Sequence, residues 1–298
     1  MTTASVAPSP SSKTNKWRYT AAFTAFAVLS GIAFYGTMSI LVPQRLRDLG
    51  IENSTAVLGA INSAGSVASI FIALFVGALS DRTASKWGRR TPWIFTGAFV
   101  YGICFWSLSR PSSALIIGIC YVLALTGLNM VQVPIYALIS DRVEEESRAT
   151  ISAAIGGGVI GQGIGTLIGS LFITNMEVGF VCTGLCALLA GVLAVVIAPR
   201  EPSSKNMHKD AGKPLWRVVV ESLTPPLKDC GDFYRAFICR TCLIVAYQMI
   251  FSYQLYIPQD HIGQSKTQAA ATIQVISVLT MIASMVASLI SGPIADAL

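Results

Sequence analysis

Charged side chains are scarce in this sequence. Asp, Glu, Lys and Arg make up 12% of the 298 residues, about half the share of a typical soluble domain, whereas 53% of the residues are hydrophobic. A soluble domain of this length would need more polar surface to cover its core. The scarcity of charge therefore excludes an ordinary soluble protein and indicates one that lies in a membrane.

Residues that commonly carry catalysis are also few. The two histidines, His208 and His261, lie in predicted loops, and no Asp or Glu lies in the middle of a long apolar run. Cys239 and Cys242 form a CxxC pair without a second pair or a nearby histidine. The sequence therefore predicts no metal site, no histidine proton relay and no catalytic residue, and we expect the protein not to be an enzyme.

Long apolar runs dominate what is present. A helix needs about 20 consecutive apolar residues to cross the hydrocarbon layer. Alternating strands of the outer-membrane type are absent from the pattern, so the sequence predicts an all-α polytopic membrane protein with eight transmembrane helices. The runs cover about 20–42, 56–80, 92–110, 112–139, 149–173, 178–198, 234–257 and 267–292.

The basic residues are unevenly distributed among the loops. Most of the 21 Lys and Arg residues lie in the N-terminal tail and in the loops that follow the second, fourth and sixth runs. Cytoplasmic loops carry such an excess, so the sequence predicts a cytoplasmic N-terminus and a multi-pass protein of the cell (plasma or inner) membrane. The positive charge is thus a topology signal, and we expect no nucleic-acid partner.

A polar, basic segment after the sixth run divides the chain. The sequence predicts a disordered cytoplasmic tail at 1–19, a six-helix unit at 20–198, a cytoplasmic linker at 199–233 and an incomplete second unit at 234–298. The first run is too long for a signal peptide and lacks a small-residue cleavage site. It is therefore predicted to be an uncleaved helix.

The stretch GALSDRTASKWGRRTP separates the second and third runs. Asp81 would lie at a helix C-terminus, where an acid is unfavourable unless a positive group faces it. Thr91 and Pro92 predict the N-cap and first position of the next helix. Either the bases only fix topology, or the loop is a latch between helix ends that holds one conformation. The candidate basic partners are Arg82, Lys86, Arg89 and Arg90.

This arrangement resembles the major facilitator superfamily, whose twelve helices form two related halves. Its signature between the second and third helices is Gly-x-x-x-Asp-Arg/Lys-x-Gly-Arg-Arg, here with four extra residues in the middle. That longer form, with SILVPQRLRDLG at 39–50 and SDRVEEESRATISA at 140–153, is similar to sucrose transporters and the glycoside–pentoside–hexuronide cation symporters. The matching residues are Gly77, Asp81, Arg82, Gly88, Arg89 and Arg90.

The end of the sequence begins the same motif again. Gly292 and Asp296 repeat the spacing of Gly77 and Asp81, as the resemblance implies for an eighth helix that repeats the second. A Gly-Arg-Arg part and four further helices would be expected next, so the resemblance implies a chain truncated after helix 8. The expected function is transport of a small polar solute, a sugar or glycoside, by alternating access. The alternative is a membrane fragment without transport of its own.

Polar residues within the runs are the candidate substrate ligands. In the family, helices 1, 4, 7 and 10 line the cavity, and amides and tyrosines suit a neutral polyhydroxyl ligand because they donate and accept hydrogen bonds. Hydrogen bonds between helices are the alternative role. No cofactor is expected; a coupling cation (proton or sodium) and the oligomeric state are open. The predicted substrate-binding residues are Tyr35, Asn129, Gln132, Tyr136, Tyr247, Gln248 and Gln254.

Small residues at every fourth position predict close helix packing. The fifth run carries Gly157, Gly161, Gly165 and Gly169. By analogy with the family, the fifth helix lies near the eighth. This would join the glycine ladder to Thr280, Ser284, Ser288 and Gly292.

Overall fold

A computed structural model describes residues 13–110, 113–142, 158–204 and 231–297, and within these ranges the secondary structure is helical. Helix α1 comprises the α-helix Lys13–Gly36, the π-helical segment Thr37–Leu41 and the α-helix Val42–Asp48. A second π-helical segment, Ile257–His261, lies between α7 and α8. The remaining helices are α2 (Ser54–Asp81), α3 (Thr91–Ser107), α4 (Ala114–Arg142), α5 (Gly158–Leu171), α6 (Met176–Ile197), α7 (Gly231–Ser252) and α8 (Lys266–Ala297).

The predicted all-α membrane fold is confirmed for the described residues. Six of these helices, α1, α2, α4, α6, α7 and α8, are long and apolar enough to cross a membrane. Helix α3 has 17 residues and α5 has 14, so the described helices do not confirm the predicted count of eight spans. Helix α5 begins directly after residues 143–157, which lie outside the described part of the chain.

Consecutive helices run in opposite directions, which brings distant segments together at each end of the bundle. We call the end at which α1 begins the tail end and the opposite end the far end. The loop 82–90 and residues 198–204 meet at the tail end, whereas the α1–α2 and α7–α8 connections lie at the far end. Within the first six helices, α1 packs on α5 and α6, α3 packs on α4 and α6, and α2 packs on α4.

The beginning of α1 differs from its prediction. The helix starts at Lys13, so the last part of the predicted disordered tail is helical. Arg18 donates from Nε to the carbonyl of Ile197 at 2.9 Å and from Nη2 to that of Ala198 at 3.3 Å. Carbonyls at the end of a helix lack intrahelical partners, and Arg18 supplies donors for those at the end of α6. This contact ties the N-terminal turn to the bundle.

The glycine ladder of α5 packs against α1, not against α8 as predicted. A Cβ atom at Gly161 would lie 2.3 Å from the carbonyl oxygen of Val28, and one at Gly165 would lie 2.6 Å from that of Ile32. The two backbones therefore approach as closely as glycine allows. Gly157 and the side chains near Ser288 and Gly292 lie outside the described part of the structure.

Helix α5 does contact α8, but through a different face. The Thr166 hydroxyl donates to Ser277 Oγ at 2.8 Å, and a Cβ at Gly163 would meet the flexible side chain of Met281. The predicted neighbourhood of the two helices is thus present, and the residues that make it are different. The ladder faces α1 because the α1 glycines, Gly31 and Gly36, face it in turn.

Candidate functional site

A buried arginine lies between two carboxylates at the tail end. Arg90 is 3% exposed. Its Nη2 donates to Asp81 Oδ1 at 3.1 Å and forms an ion pair with Asp141, whose Oδ2 lies 2.9 Å away. Arg89 also pairs with Asp141. Asp81 ends α2, Arg90 immediately precedes α3, and Asp141 lies in the last turn of α4. The structure thus pairs Asp81 with one of the four candidate bases and adds an acid from α4.

A third carboxylate covers the start of α3. Glu201 Oε2 accepts the backbone N–H groups of Arg90 and Thr91 and the Thr91 hydroxyl, each at 3.0 Å. The first N–H groups of a helix have no intrahelical acceptor, and a carboxylate there also complements the positive pole of the helix. Helix α3 therefore begins at Thr91 itself, one residue earlier than predicted. We call Asp81, Arg89, Arg90, Asp141 and Glu201 together the tail-end latch.

The loop that carries the latch is fixed by a glycine and by a short backbone pairing. Gly88 has a φ of +95°, and a Cβ there would lie 2.2 Å from Glu201 Oε2, so glycine is required on both counts. Ser204 donates its N–H to the carbonyl of Ser85 at 3.0 Å, and Ser85 donates its N–H to Ser204 Oγ at 2.9 Å. These bonds hold the segment after α6 beside the loop.

Four other residues predicted for the latch are not among the five that form the tail-end latch: Gly77, Arg82, Gly292 and Asp296. Gly77 lies one turn before Asp81, where a Cβ would reach Val133 of α4 at 3.7 Å. Arg82 is the C-cap of α2. Gly292 and Asp296 belong to α8, but their surroundings lie outside the described part of the structure.

A central cavity of about 730 Å³ lies between α1, α2, α4 and α7. All of its lining residues are uncharged. Two of the predicted substrate-binding residues, Tyr35 and Gln248, line it. Aromatic rings form one side, where Tyr35 meets Phe251 edge to face with ring centroids 5.0 Å apart. The lining residues are Phe34, Tyr35, Met38, Ser39, Asn62, Ser63, Ser66, Val67, Ser69, Tyr121, Leu125, Gln248, Phe251 and Ser252.

Helix α2 contributes a polar face that the sequence analysis did not predict. Asn62, Ser63, Ser66 and Ser69 all line the central cavity. Ser63, Ser66 and Ser69 recur at every third residue, and Asn62 lies four residues before Ser66, a spacing that could have indicated a polar helix face. Asn129 stands behind this wall, since its Nδ2 donates to Ser69 Oγ at 3.2 Å.

The remaining predicted ligands lie elsewhere. Gln132 donates to the Tyr136 hydroxyl at 2.9 Å, and neither residue lines the central cavity. Tyr247 and Gln254 line a second cavity of about 600 Å³ between α5, α7 and α8, where Gln162 donates to the Tyr247 hydroxyl. The predicted set is therefore divided among three places.

Polar contacts at the far end join α1 to the chain around the second π-helical segment. Gln259 Nε2 donates to Gln44 Oε1 at 3.2 Å, and Lys266 Nζ donates to Asp48 Oδ2 at 3.0 Å. Arg47 forms an ion pair with Asp260, and its Cζ lies 4.5 Å from the centre of the Tyr256 ring. We call this set the far-end contact; its members are Gln44, Arg47, Asp48, Tyr256, Gln259, Asp260 and Lys266.

The far-end contact also contains an internal repeat. Pro43-Gln44 and Pro258-Gln259 are the same dipeptide, 215 residues apart, and their glutamine side chains bond to each other. Gly77 and Gly292 have the same separation. A repeated Val/Ile-Pro-Gln was visible in the sequence and could have marked this pair.

Comparison with known proteins gives the family. Residues 23–298 match the Major Facilitator Superfamily. The chain belongs to this superfamily. It is therefore a multi-pass membrane protein of the major facilitator type, in agreement with the resemblance seen in its loop motifs.

The individual relatives are more distant. Sucrose transport protein SUC4 of Arabidopsis thaliana is 29% identical over 142 residues, a match that covers 42% of this chain and 27% of the plant protein. The in meso crystal structure of the POT family transporter PepTSo aligns with a TM-score of 0.46 and 15% identity. That alignment covers 90% of this chain and 54% of the solved chain.

Proposed function

We propose that the protein carries a small uncharged polar solute, a sugar or glycoside, across a membrane by alternating access. The observation that carries this proposal is the lining of the central cavity. Side chains such as Asn62, Ser66 and Gln248 both donate and accept hydrogen bonds, as sugar hydroxyls do. The cavity volume of about 730 Å³ falls within the range of small-molecule sites.

The absence of charge from the cavity lining argues against a charged solute. Removing a charge from water is costly unless an opposite charge compensates it. None of the residues that line the described cavity carries a charge. The similarity to a sucrose transport protein points in the same direction.

The contacts at the two ends of the bundle support alternating access. The tail-end latch lies within the first six helices, whereas the far-end contact joins α1 to the segment between α7 and α8. Exposed ion pairs are individually weak, so the far-end contact can break as the cavity opens there. The repeated Pro-Gln pair supports two related units, 20–198 and 234–298, joined by the linker 199–233.

The distribution of bases supports an orientation with the tail end in the cytoplasm. The N-terminus and the 199–233 linker would both be cytoplasmic, in a plasma or inner membrane. The far-end contact then closes the outer side of the central cavity. In this state the cavity would receive or release its solute on the cytoplasmic side.

Solute binding by the purified chain in lipid nanodiscs tests the proposal. We expect saturable binding of a neutral sugar or glycoside from a panel that includes sucrose, and no binding of glutamate, lysine or a dipeptide. Gln248→Ala should weaken that binding up to about tenfold, the loss of one hydrogen bond. Gln132→Ala, which changes an amide outside the cavity, should not.

Uptake into liposomes with the same panel completes the test. Uptake that saturates with the sugar that binds would support transport by this chain. Binding without uptake would support the binding site but contradict transport by this chain. A folded chain that binds no neutral sugar, or prefers a charged solute, would contradict the proposal as a whole.

A further inference from the structure

A second cavity at the tail end lies outside the proposed transport site. It has a volume of about 660 Å³ and lies between α1, α3, α4 and the chain at the end of α6. Three bases line it, one each from α1, the α2–α3 loop and the segment after α6: Arg18, Lys86 and Arg200. We call this cavity the basic cleft.

Among the described residues that line the basic cleft, three bases face one acid. Glu201 also lines the cleft, but its carboxylate already accepts three hydrogen bonds at the start of α3. Asp81 and Asp141 are paired with Arg89 and Arg90 in the latch. Lys86 and Arg200 are exposed, and neither has a carboxylate partner among the described residues. The cleft therefore favours an anion.

The walls below these bases are apolar and open towards the surroundings of the bundle. Phe95 of α3 is 37% exposed and Val196 of α6 is 65% exposed, and both line the cleft. Trp87, which follows Lys86 in the chain, also lines the cleft and is 65% exposed. Tryptophan and long basic side chains favour the region where a membrane meets water, because each has an apolar body and a polar end. The cleft thus has a cationic rim above an apolar wall.

We propose that the basic cleft binds an anionic phospholipid. Its phosphate lies between Lys86 and Arg200, and an acyl chain follows Phe95 and Val196. The cytoplasmic leaflet is rich in anionic lipids, which agrees with the proposed orientation of the tail end. Arg200 adjoins Glu201, and Lys86 lies two residues before Gly88, so a bound lipid also holds together the two segments that meet in the tail-end latch.

Lipid titration of the purified full chain, followed by native mass spectrometry, tests this assignment. The probes are dioleoylphosphatidylglycerol and dioleoylphosphatidylcholine. Dioleoylphosphatidylglycerol, which is anionic, should bind more tightly. Lys86→Gln or Arg200→Gln should each weaken its binding about fivefold, the effect of one base near a lipid surface. Arg110→Gln removes one exposed base at the far end and serves as the matched control. Arg18 is left unchanged because it also supports the end of α6.

The outcomes separate a lipid from a soluble anion and do not depend on the orientation. Glycerol 3-phosphate at millimolar concentration should not displace the lipid, because it has no acyl chain for the apolar wall. Equal binding of the two lipids, an unchanged preference in Lys86→Gln and Arg200→Gln, or an equal loss in Arg110→Gln would overturn the proposal. Displacement by glycerol 3-phosphate would assign the cleft to a soluble phosphate and overturn the lipid. Circular dichroism and phosphatidylcholine binding verify that each variant is folded.

Discussion

Arg90 is the residue on which the tail-end latch depends. Its Nη2 is shared by two carboxylates, while its buried Nε and Nη1 have no partner within the described residues. A buried cation that loses its counter-charge is costly, and two acids protect Arg90 from the loss of either one. The acids are unequal, since the Asp81 side chain is 54% exposed and that of Asp141 is 33% exposed.

Removal of each acid should therefore have a different effect. Asp141→Asn removes the partner that Arg89 and Arg90 share, whereas Asp81→Asn leaves Arg90 paired with Asp141. We expect Asp141→Asn to lower the melting temperature of the purified chain more, because it loses the charge-assisted bond from Arg89, about 1.5–3 kcal/mol, and also the ion pair with the buried Arg90. Thermal unfolding in detergent measures the difference. An equal decrease, or a larger one in Asp81→Asn, would contradict this view of the latch.

The glycine of the loop gives a sharper test. Gly88→Ala places a Cβ at a positive φ and 2.2 Å from Glu201 Oε2, so Glu201 must leave the start of α3. Gly50→Ala is the matched control, since Gly50 has a φ of +69° and its Cβ would meet no atom within 4 Å. We expect Gly88→Ala to lose more stability than Gly50→Ala in thermal unfolding. Similar losses in both variants would show that the contact with Glu201 contributes little.

Sequence distance explains which latch residues could be predicted. Arg90 is nine residues from Asp81, so a local charge argument included it among the candidate partners. Glu201 is 110 residues from Thr91, and only the packing of α6 beside α3 brings them together. An acid directly after the basic end of the sixth run was the available signal. It did not identify a partner.

At the scale of the helices, the contact between α1 and α5 is one of the close backbone contacts in the described bundle. Gly31 and Gly36 of α1 meet Gly161 and Gly165 of α5, and added Cβ atoms would contact backbone atoms at less than 3.0 Å. Without a hydrophobic driving force between helices in lipid, such close van der Waals packing stabilises their association. Gly163 lies on another face of α5, where the three atoms nearest to an added Cβ all belong to the Met281 side chain, at 3.1–3.3 Å.

These two faces of α5 predict different responses to the same substitution. Gly161→Ala should destabilise the chain by about 1–3 kcal/mol from overpacking, partly offset by about 1 kcal/mol of helix propensity. Gly163→Ala gains the same propensity, and its contacts with the Met281 side chain, at 3.1–3.3 Å, require a shift of only a few tenths of an ångström. The melting temperatures should therefore fall in Gly161→Ala and stay the same or rise in Gly163→Ala. The reverse order of melting temperatures would contradict the assignment of the close helix contact to the Gly161 face of α5.

The bounds of each helix were more predictable from the sequence than the helices against which it packs. The second run was predicted at 56–80 and the helix covers Ser54–Asp81, because length and apolar composition are local properties. Periodicity identified the small-residue face of α5 but not the helix that meets it. The family analogy supplied α8, whereas the glycines of α1 form the closer contact. The polar face of α2 was missed because serine suits both a packing ladder and a cavity wall.

At the scale of the whole molecule, the proposed orientation determines which end of the cavity opens into the cytoplasm. Asn206→Cys places a thiol in the linker, and Glu52→Cys places one on an exposed position at the far end. In a background without native cysteines, an impermeant thiol reagent added to intact cells should label Glu52→Cys and not Asn206→Cys. The reverse pattern would invert the topology. The described cysteines are free thiols, so their replacement breaks no disulfide.

The central claim is that the uncharged cavity between α1, α2, α4 and α7 binds a neutral sugar. Ser66 lines this cavity, and within the described residues its side chain bonds to the carbonyl of Asn62, in its own helix, at 2.8 Å. The rate of alkylation of Ser66→Cys in the purified cysteine-free chain therefore reports on occupancy of the site. Glu52→Cys, outside the cavity, is the control.

The measurement compares the alkylation rates with and without each solute of the panel. The proposal predicts that the neutral sugar that binds will slow alkylation of Ser66→Cys in a saturable way and leave Glu52→Cys unchanged. Glutamate, lysine and a dipeptide should protect neither thiol. Protection of Ser66→Cys by a charged solute alone, or by no neutral sugar at all, would contradict the claim.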